Sequence, residues 1–192
     1  MSLKTKAKES KLLGFLNKAY SSQLTWILGF SVLMAFAAQL SIPAEPVPFT
    51  LQTMIVLLAG AFLGARNGAL SQIIYLAAGA VGLPVFANFS LGFATLFGPT
   101  GGYLLAFPVA AYLVGTILEN RKSLLTITVS MVSGAALMLI SGAAYLSLFF
   151  NGDFGQAFYA GILIFSVWDI IKISAAISIY YSFSKKYPRI PA

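Results

Sequence analysis

Six long apolar runs limit what this chain can fold into: about Leu24–Leu40, Phe49–Gly64, Gly68–Leu83, Gly101–Leu118, Leu124–Phe150 and Ala157–Phe183. A helix needs about 20 apolar residues to cross a bilayer. The second and third runs are short, which predicts little tilt or a partly re-entrant path. Nothing polar is left to cover them, because 59% of the 192 residues are hydrophobic and only 9% are charged. The mean hydropathy is +0.88. The fold class that follows is an all-α integral membrane protein, with six transmembrane helices forming one domain over residues 23–184.

The basic residues set the expected orientation. With the N-terminus inside, cytoplasmic segments hold Lys4, Lys6, Lys8, Lys11, Lys18, Arg66, Arg121, Lys122, Lys185, Lys186 and Arg189, while the outer loops hold only Glu45 and Asp153. Both termini are therefore predicted to be cytoplasmic. Residues 1–22 read as a basic segment at the membrane surface, and residues 185–192 as a cytoplasmic tail. Ala35-Phe36-Ala37 resembles a signal cleavage site, but the reading here is a retained segment. The net charge of +7 is thus explained by topology, and no nucleic-acid partner is expected.

One basic residue lies apart from this pattern. Asp169 and Lys172 interrupt the last apolar run, 16 residues after Asp153 and 13 before Lys185. An ionised group at such depth costs roughly 2.5–3.5 kcal/mol and normally marks a functional interior. The i, i+3 spacing puts acid and base on one helical face, to which Phe165 and Trp168 are also assigned. A self-neutralising pair that merely tolerates burial is the plain alternative, yet two apolar residues would pack there without the desolvation cost.

Two outer loops stand over this face. Ser41–Gln52 carries Pro43, Pro46 and Pro48, which predicts a stiff extended segment able to act as a lid. Gly82–Tyr103 mixes aromatics with glycine, amide and hydroxyl groups. Irregular backbone at membrane depth belongs where it lines a cavity. The expected pocket has apolar walls from Phe49, Phe86, Phe89 and Trp168 and polar points at Thr50, Gln52, Asn88 and Ser90, with Tyr103 completing the binding set.

Catalysis is poorly supported. The chain has no histidine and no cysteine, so it lacks the commonest general base, and Asp169 has no second membrane acid to form a pair. No Gly-Lys dipeptide occurs, so a phosphate-binding P-loop is absent. No metal site or cofactor is predicted. Two alternatives remain open, an intramembrane enzyme using Lys172 (with Ser166 as its dyad partner) and a stand-alone small-molecule carrier. No internal repeat supports the second.

Several motifs together resemble one family. Pro43-Ala-Glu-Pro-Val-Pro-Phe-Thr-Leu-Gln-Thr53, Leu58-Ala-Gly-Ala-Phe-Leu-Gly64, Gly79-Ala-Val-Gly-Leu-Pro-Val-Phe-Ala87, Leu96-Phe-Gly-Pro-Thr-Gly-Gly-Tyr-Leu104 and Trp168-Asp169 with Lys172 resemble the BioY family, across about Leu24–Lys172. These are biotin-binding S-components of energy-coupling-factor (ECF) transporters. The resemblance implies an S-component-like bundle in the bacterial cell membrane, with biotin as transported ligand. It also implies a transmembrane coupling subunit and two cytoplasmic ATPases as partners. Where the family usually has a run of glycines after Phe86, this chain reads Ala87-Asn88-Phe89-Ser90-Leu91-Gly92. The family's Ala-x-x-x-Ala docking motif is replaced by Ser31-x-x-x-Ala35, so docking is expected around Ser31, Ala35 and Ala38 on the first helix. Asp169 can accept from the ureido N–H groups of biotin and Lys172 can donate to its carbonyl, with the carboxylate pointing at the lid. The opposite orientation, carboxylate on Lys172, also stays open at this stage.

Overall fold

The computed structural model of the chain describes residues 22–119, 122–163 and 166–191, the side chain of Ser166 excepted. The basic segment up to residue 21, together with Arg121 and Phe165, lies outside the described residues. The rest is mostly helical. Helix α1 covers Gln23–Gln39. The proline-rich stretch that follows forms a small hairpin, in which β1 (Ser41–Ile42) pairs antiparallel with β2 (Phe49–Thr50), Ser41 opposite Thr50 and Ile42 opposite Phe49.

Helix α2, Gln52–Ala80, holds the second and third apolar runs in one 29-residue element. At 1.5 Å per residue a straight helix would set Gln52 and Tyr75 about 35 Å apart. Instead the Gln52 amide donates to the Tyr75 hydroxyl at 2.8 Å. The chain reverses at Gly64, whose φ of 79° and ψ of 177° belong to a backbone that glycine alone adopts readily. The arms 52–63 and 65–80 lie antiparallel and so close that a Cβ on Gly68 would sit 2.8 Å from the Gly60 Cα. Two expectations shift here. The first arm starts at Gln52 rather than Phe49, and a single residue makes the turn assigned to Gly64–Gly68.

After α2 come a 3-10 turn (Ala87–Phe89), the short α3 (Gly92–Leu96) and α4 (Gly101–Ile117). Helix α5 (Leu124–Leu146) is capped by Ser123, whose hydroxyl accepts from the Thr126 amide at 3.2 Å, and it runs on into a 3-10 turn at Ser147–Phe150. Then follow α6 (Phe154–Phe158), a π-helical turn (Tyr159–Leu163) and α7 (Ser166–Ser184). The last apolar run, expected as one helix, is therefore broken. The Tyr103 hydroxyl donates to the Gly161 carbonyl within the π turn at 2.8 Å, tying α4 to the last apolar run. The break places Asp169 in the first turn of α7 rather than mid-helix.

Helix α4 is central, packed most extensively against α2 and α5. Val56, Ala59, Ala110, Ala111, Val114, Met131 and Met138 are all inaccessible to solvent. The outside is apolar as well: Leu125 is 74% exposed, Leu148 69% and Ile170 64%. Water would not tolerate such a surface, and a lipid bilayer is its natural solvent. By length and composition Gln52–Ala80 and Leu124–Phe150 could cross a membrane, with a third if Phe154–Leu163 and Val167–Ser184 count together. Because α2 doubles back, its 29 residues are two short arms and not one long span.

The small-residue stripe on α1 is used internally. Ser31 donates to the Ser71 carbonyl at 2.7 Å, and Ser31 and Ala38 are buried with Ala35 half-buried. Ser31 and Ala38 of the stripe expected to dock a partner are thus occupied inside the fold, where small side chains let α1 approach the second arm of α2 closely, while Ala35 stays half-buried.

Candidate functional site

The hairpin, the start of α2, the loop after it, and α4, α5 and α7 enclose a cavity of about 240 Å³. Its lining residues are Val47, Pro48 and Thr50 from the hairpin, Gln52 and Thr53 from α2, and Phe86, Ala87, Asn88 and Ser90 from the loop. Thr95, Thr100, Tyr103, Leu104, Phe107, Leu139, Asp169 and Lys172 complete it. The walls are mainly apolar, with polar groups at a few points, as small-molecule sites generally are.

Asp169 and Lys172 form its charged end, only 6% and 8% exposed. Asp169 Oδ1 lies 2.6 Å from Lys172 Nζ, and Nζ also donates to the Thr50 carbonyl at 3.2 Å. Lys172 thereby ties α7 to the hairpin. Asp169 Oδ2 is buried with no hydrogen-bond partner among the described residues, and so is Thr53 Oγ1. An unmet buried acceptor costs about 1–3 kcal/mol, more when charged. A ligand N–H arriving in the cavity would remove that cost at Oδ2.

The polar floor and rim differ in what they have left to offer. The Gln52 carbonyl accepts from Thr50 Oγ1 at 3.1 Å while its amide donates to Tyr75. Tyr75 passes the chain on to the Val85 carbonyl at 3.1 Å. Gln52 thus lines the cavity mainly as a brace. Asn88 Oδ1 accepts from Ser41 Oγ at 3.0 Å, which leaves the Asn88 amide hydrogens for a ligand. Ser90 Oγ donates to the Ala87 carbonyl at 2.8 Å and keeps its lone pairs. Phe86 is 1% exposed, edge-on to Tyr75 at 5.6 Å and set against Gly79, where no Cβ would fit.

Of the ten residues expected from sequence, Asp169, Lys172, Asn88, Gln52, Thr50, Ser90, Phe86 and Tyr103 line the cavity; Phe49 and Trp168 do not. Strand alternation explains the first: Thr50 faces the cavity, so its neighbour Phe49 faces away and packs against the core. Trp168 precedes Asp169 by one residue, about 100° round the helix, and stands 48% exposed outside. Phe89, also expected as a wall, is 67% exposed. Thr53, Thr95, Thr100, Leu104, Phe107 and Leu139 were not anticipated. Thr53 adjoins the first loop that drew attention and Thr95 and Thr100 lie within the second, whereas Leu139 sits in α5 among equivalent apolar residues and carries no signal.

A family description, "BioY family", matches residues 6–189. The chain belongs to the BioY family. Relatives carry the same name: the "Probable biotin transporter BioY" of Pyrococcus horikoshii is 40% identical over 159 residues, covering 83% of this chain and 94% of its own. The "Biotin transporter BioY" of Thermotoga maritima is 40% identical over 147 residues, covering 77% and 86%. Among solved structures, the crystal structure of the S-component for biotin from an ECF-type ABC transporter matches with a TM-score of 0.79 and 26% identity. It covers 97% of this chain and 95% of that one. The fold thus resembles that of this S-component across nearly the whole length of both chains.

Proposed function

We propose that this BioY chain is the biotin-binding membrane subunit of a vitamin-uptake system, capturing biotin from outside while partner ATPases supply the energy. The observation that carries this reading is the buried Asp169 Oδ2, without a partner, beside a paired Lys172 at the end of a mostly apolar cavity. Biotin matches that order of chemistry: ureido N–H donors and a carbonyl at one end, an apolar bicycle, and a carboxylate at the other. Its ureido N–H groups meet Oδ2, its carbonyl meets the Lys172 ammonium, and its carboxylate lies toward Asn88. The BioY relatives named as biotin transporters support the substrate, and the ECF-type S-component supports the partners, a coupling subunit and two ATPases.

The topology we infer is six membrane-crossing segments with both termini cytoplasmic, which puts the hairpin and cavity outside. An enzymatic role for Lys172 is disfavoured because its ammonium is held by Asp169 and the Thr50 carbonyl rather than poised as a free base. Equilibrium binding of radiolabelled biotin to the purified chain tests the reading: saturable one-to-one capture is expected, and folded protein that captures none refutes it. Competition with biotin methyl ester tests the orientation. A loss of affinity suppressed in Asn88→Ala places the carboxylate at the loop, and one suppressed in Lys172→Met places it at the charged end.

A further inference from the structure

The loop after α2 contains two non-glycine residues in the left-handed region, Asn88 at φ 57° and Phe89 at φ 56°. Asparagine tolerates this conformation, whereas phenylalanine there is rare and strained. The loop partly closes on itself, since the Phe86 amide donates to the Ser90 carbonyl at 3.1 Å and the Ser90 amide to the Ala87 carbonyl at 3.2 Å. Two of its backbone groups are met from elsewhere. At the last residue of α1, 47 to 50 positions away, the Gln39 side chain donates to the Phe86 carbonyl at 2.9 Å and accepts from the Phe89 amide at 3.0 Å.

We propose that Gln39 is a positioning residue for ligand capture, a two-ended clamp that holds the strained Phe86–Phe89 turn so that Asn88 and Phe86 face the cavity. A primary amide suits the task, since it supplies one donor and one acceptor side by side. The clamp spans 86 to 89, whose left-handed residues the chain does not hold by sequence alone. Without it the free protein lets the turn relax toward ordinary φ, and the ligand must rebuild the turn when it binds. The penalty therefore falls on affinity rather than on global stability. Gln39 itself is absent from the cavity lining, so it acts through the loop. This deepens the biotin-site reading given above and rests on it.

The test uses Gln39→Leu, Phe89→Gly and their combination in the full chain, measuring biotin affinity, dissociation rate and melting temperature. Gln39→Leu should weaken binding roughly five- to thirtyfold, the factor that corresponds to one left-handed non-glycine residue, mostly through faster release. Its melting temperature should stay near that of the parent. Phe89→Gly alone should change affinity little, because the Phe89 side chain is exposed and outside the cavity. In combination it should restore most of the loss, since glycine takes the left-handed region without strain. Parental affinity in Gln39→Leu, or losses that simply add in the double variant, overturns the proposal. Hydrogen exchange of the Phe89 amide gives a readout that needs no ligand: Gln39→Leu must accelerate it, and unchanged exchange also overturns the clamp. If the parent chain itself fails to bind biotin, the proposed function falls, while the Phe89 amide still decides the clamp.

Discussion

Replacing Asp169 by Asn should separate the two jobs of the buried pair. In the site, the change removes the anionic acceptor at Oδ2. A charge-assisted hydrogen bond contributes about 1.5–3 kcal/mol, so biotin binding should weaken roughly ten- to hundredfold. In the fold, the same change strands the Lys172 ammonium, 8% exposed, with the Thr50 carbonyl as its remaining partner among the described residues. Breaking a buried pair on one side costs about 3–5 kcal/mol, so Asp169→Asn should also melt earlier. The combination Asp169→Asn with Lys172→Met removes both charges at similar volume. Neutral replacement of a buried pair is often tolerated, so stability should return toward that of the parent while affinity stays low. Thermal unfolding in detergent and radiolabelled biotin binding on the same preparations read both effects. Parental affinity in the double variant would refute the reasoning, because the pair would then hold α7 to the hairpin and do nothing for the ligand.

Other outcomes follow from the same geometry. Trp168→Ala should leave biotin affinity within about twofold, since this side chain lies outside the cavity and is 48% exposed; a tenfold loss by calorimetry would return it to the site. Gly79→Ala would push its methyl into the Phe86 ring, costing about 1–3 kcal/mol by overpacking and driving the ring into the cavity. Lowered melting temperature together with weakened binding is expected, and unchanged values for both would mean that the wall yields. Hydrogen exchange with and without biotin should show added protection at Ser41 and over 49–52, where the hairpin joins its neighbours, if it closes as a rigid flap over the cavity. Protection confined to 86–92 would leave the hairpin static and make the second loop the gate.

The apolar runs, read with the rule that lipid leaves no backbone group unpaired, were enough to specify a helical membrane protein. Charge was equally legible: an acid and a base three residues apart in an apolar run have few reasons to be there, and both line the cavity. Proline and glycine marked the two loops because they act on their own backbone, wherever the chain goes. The long-range facts were beyond reach. Phe49 and Trp168 looked like pocket walls by composition, and which face of a strand or helix meets the cavity depends on how that element is rotated against its neighbours. That rotation is set by contacts such as Lys172 with Thr50, 122 residues apart. Leu139 enters the lining for the same reason, with nothing in its local sequence to distinguish it.

Local chemistry, then, was written in the sequence: which segments leave water, where the chain must turn, and which side chains are too costly to bury without purpose. Only the tertiary structure decided the rest. It reversed α2 on one glycine, broke the last helix beside Asp169, turned the Ser31 stripe inward and brought Gln39 across to a loop 47 residues away. Each of these depends on the close approach of residues distant in the chain, and the free energy of such packing belongs to the pair and not to either segment alone.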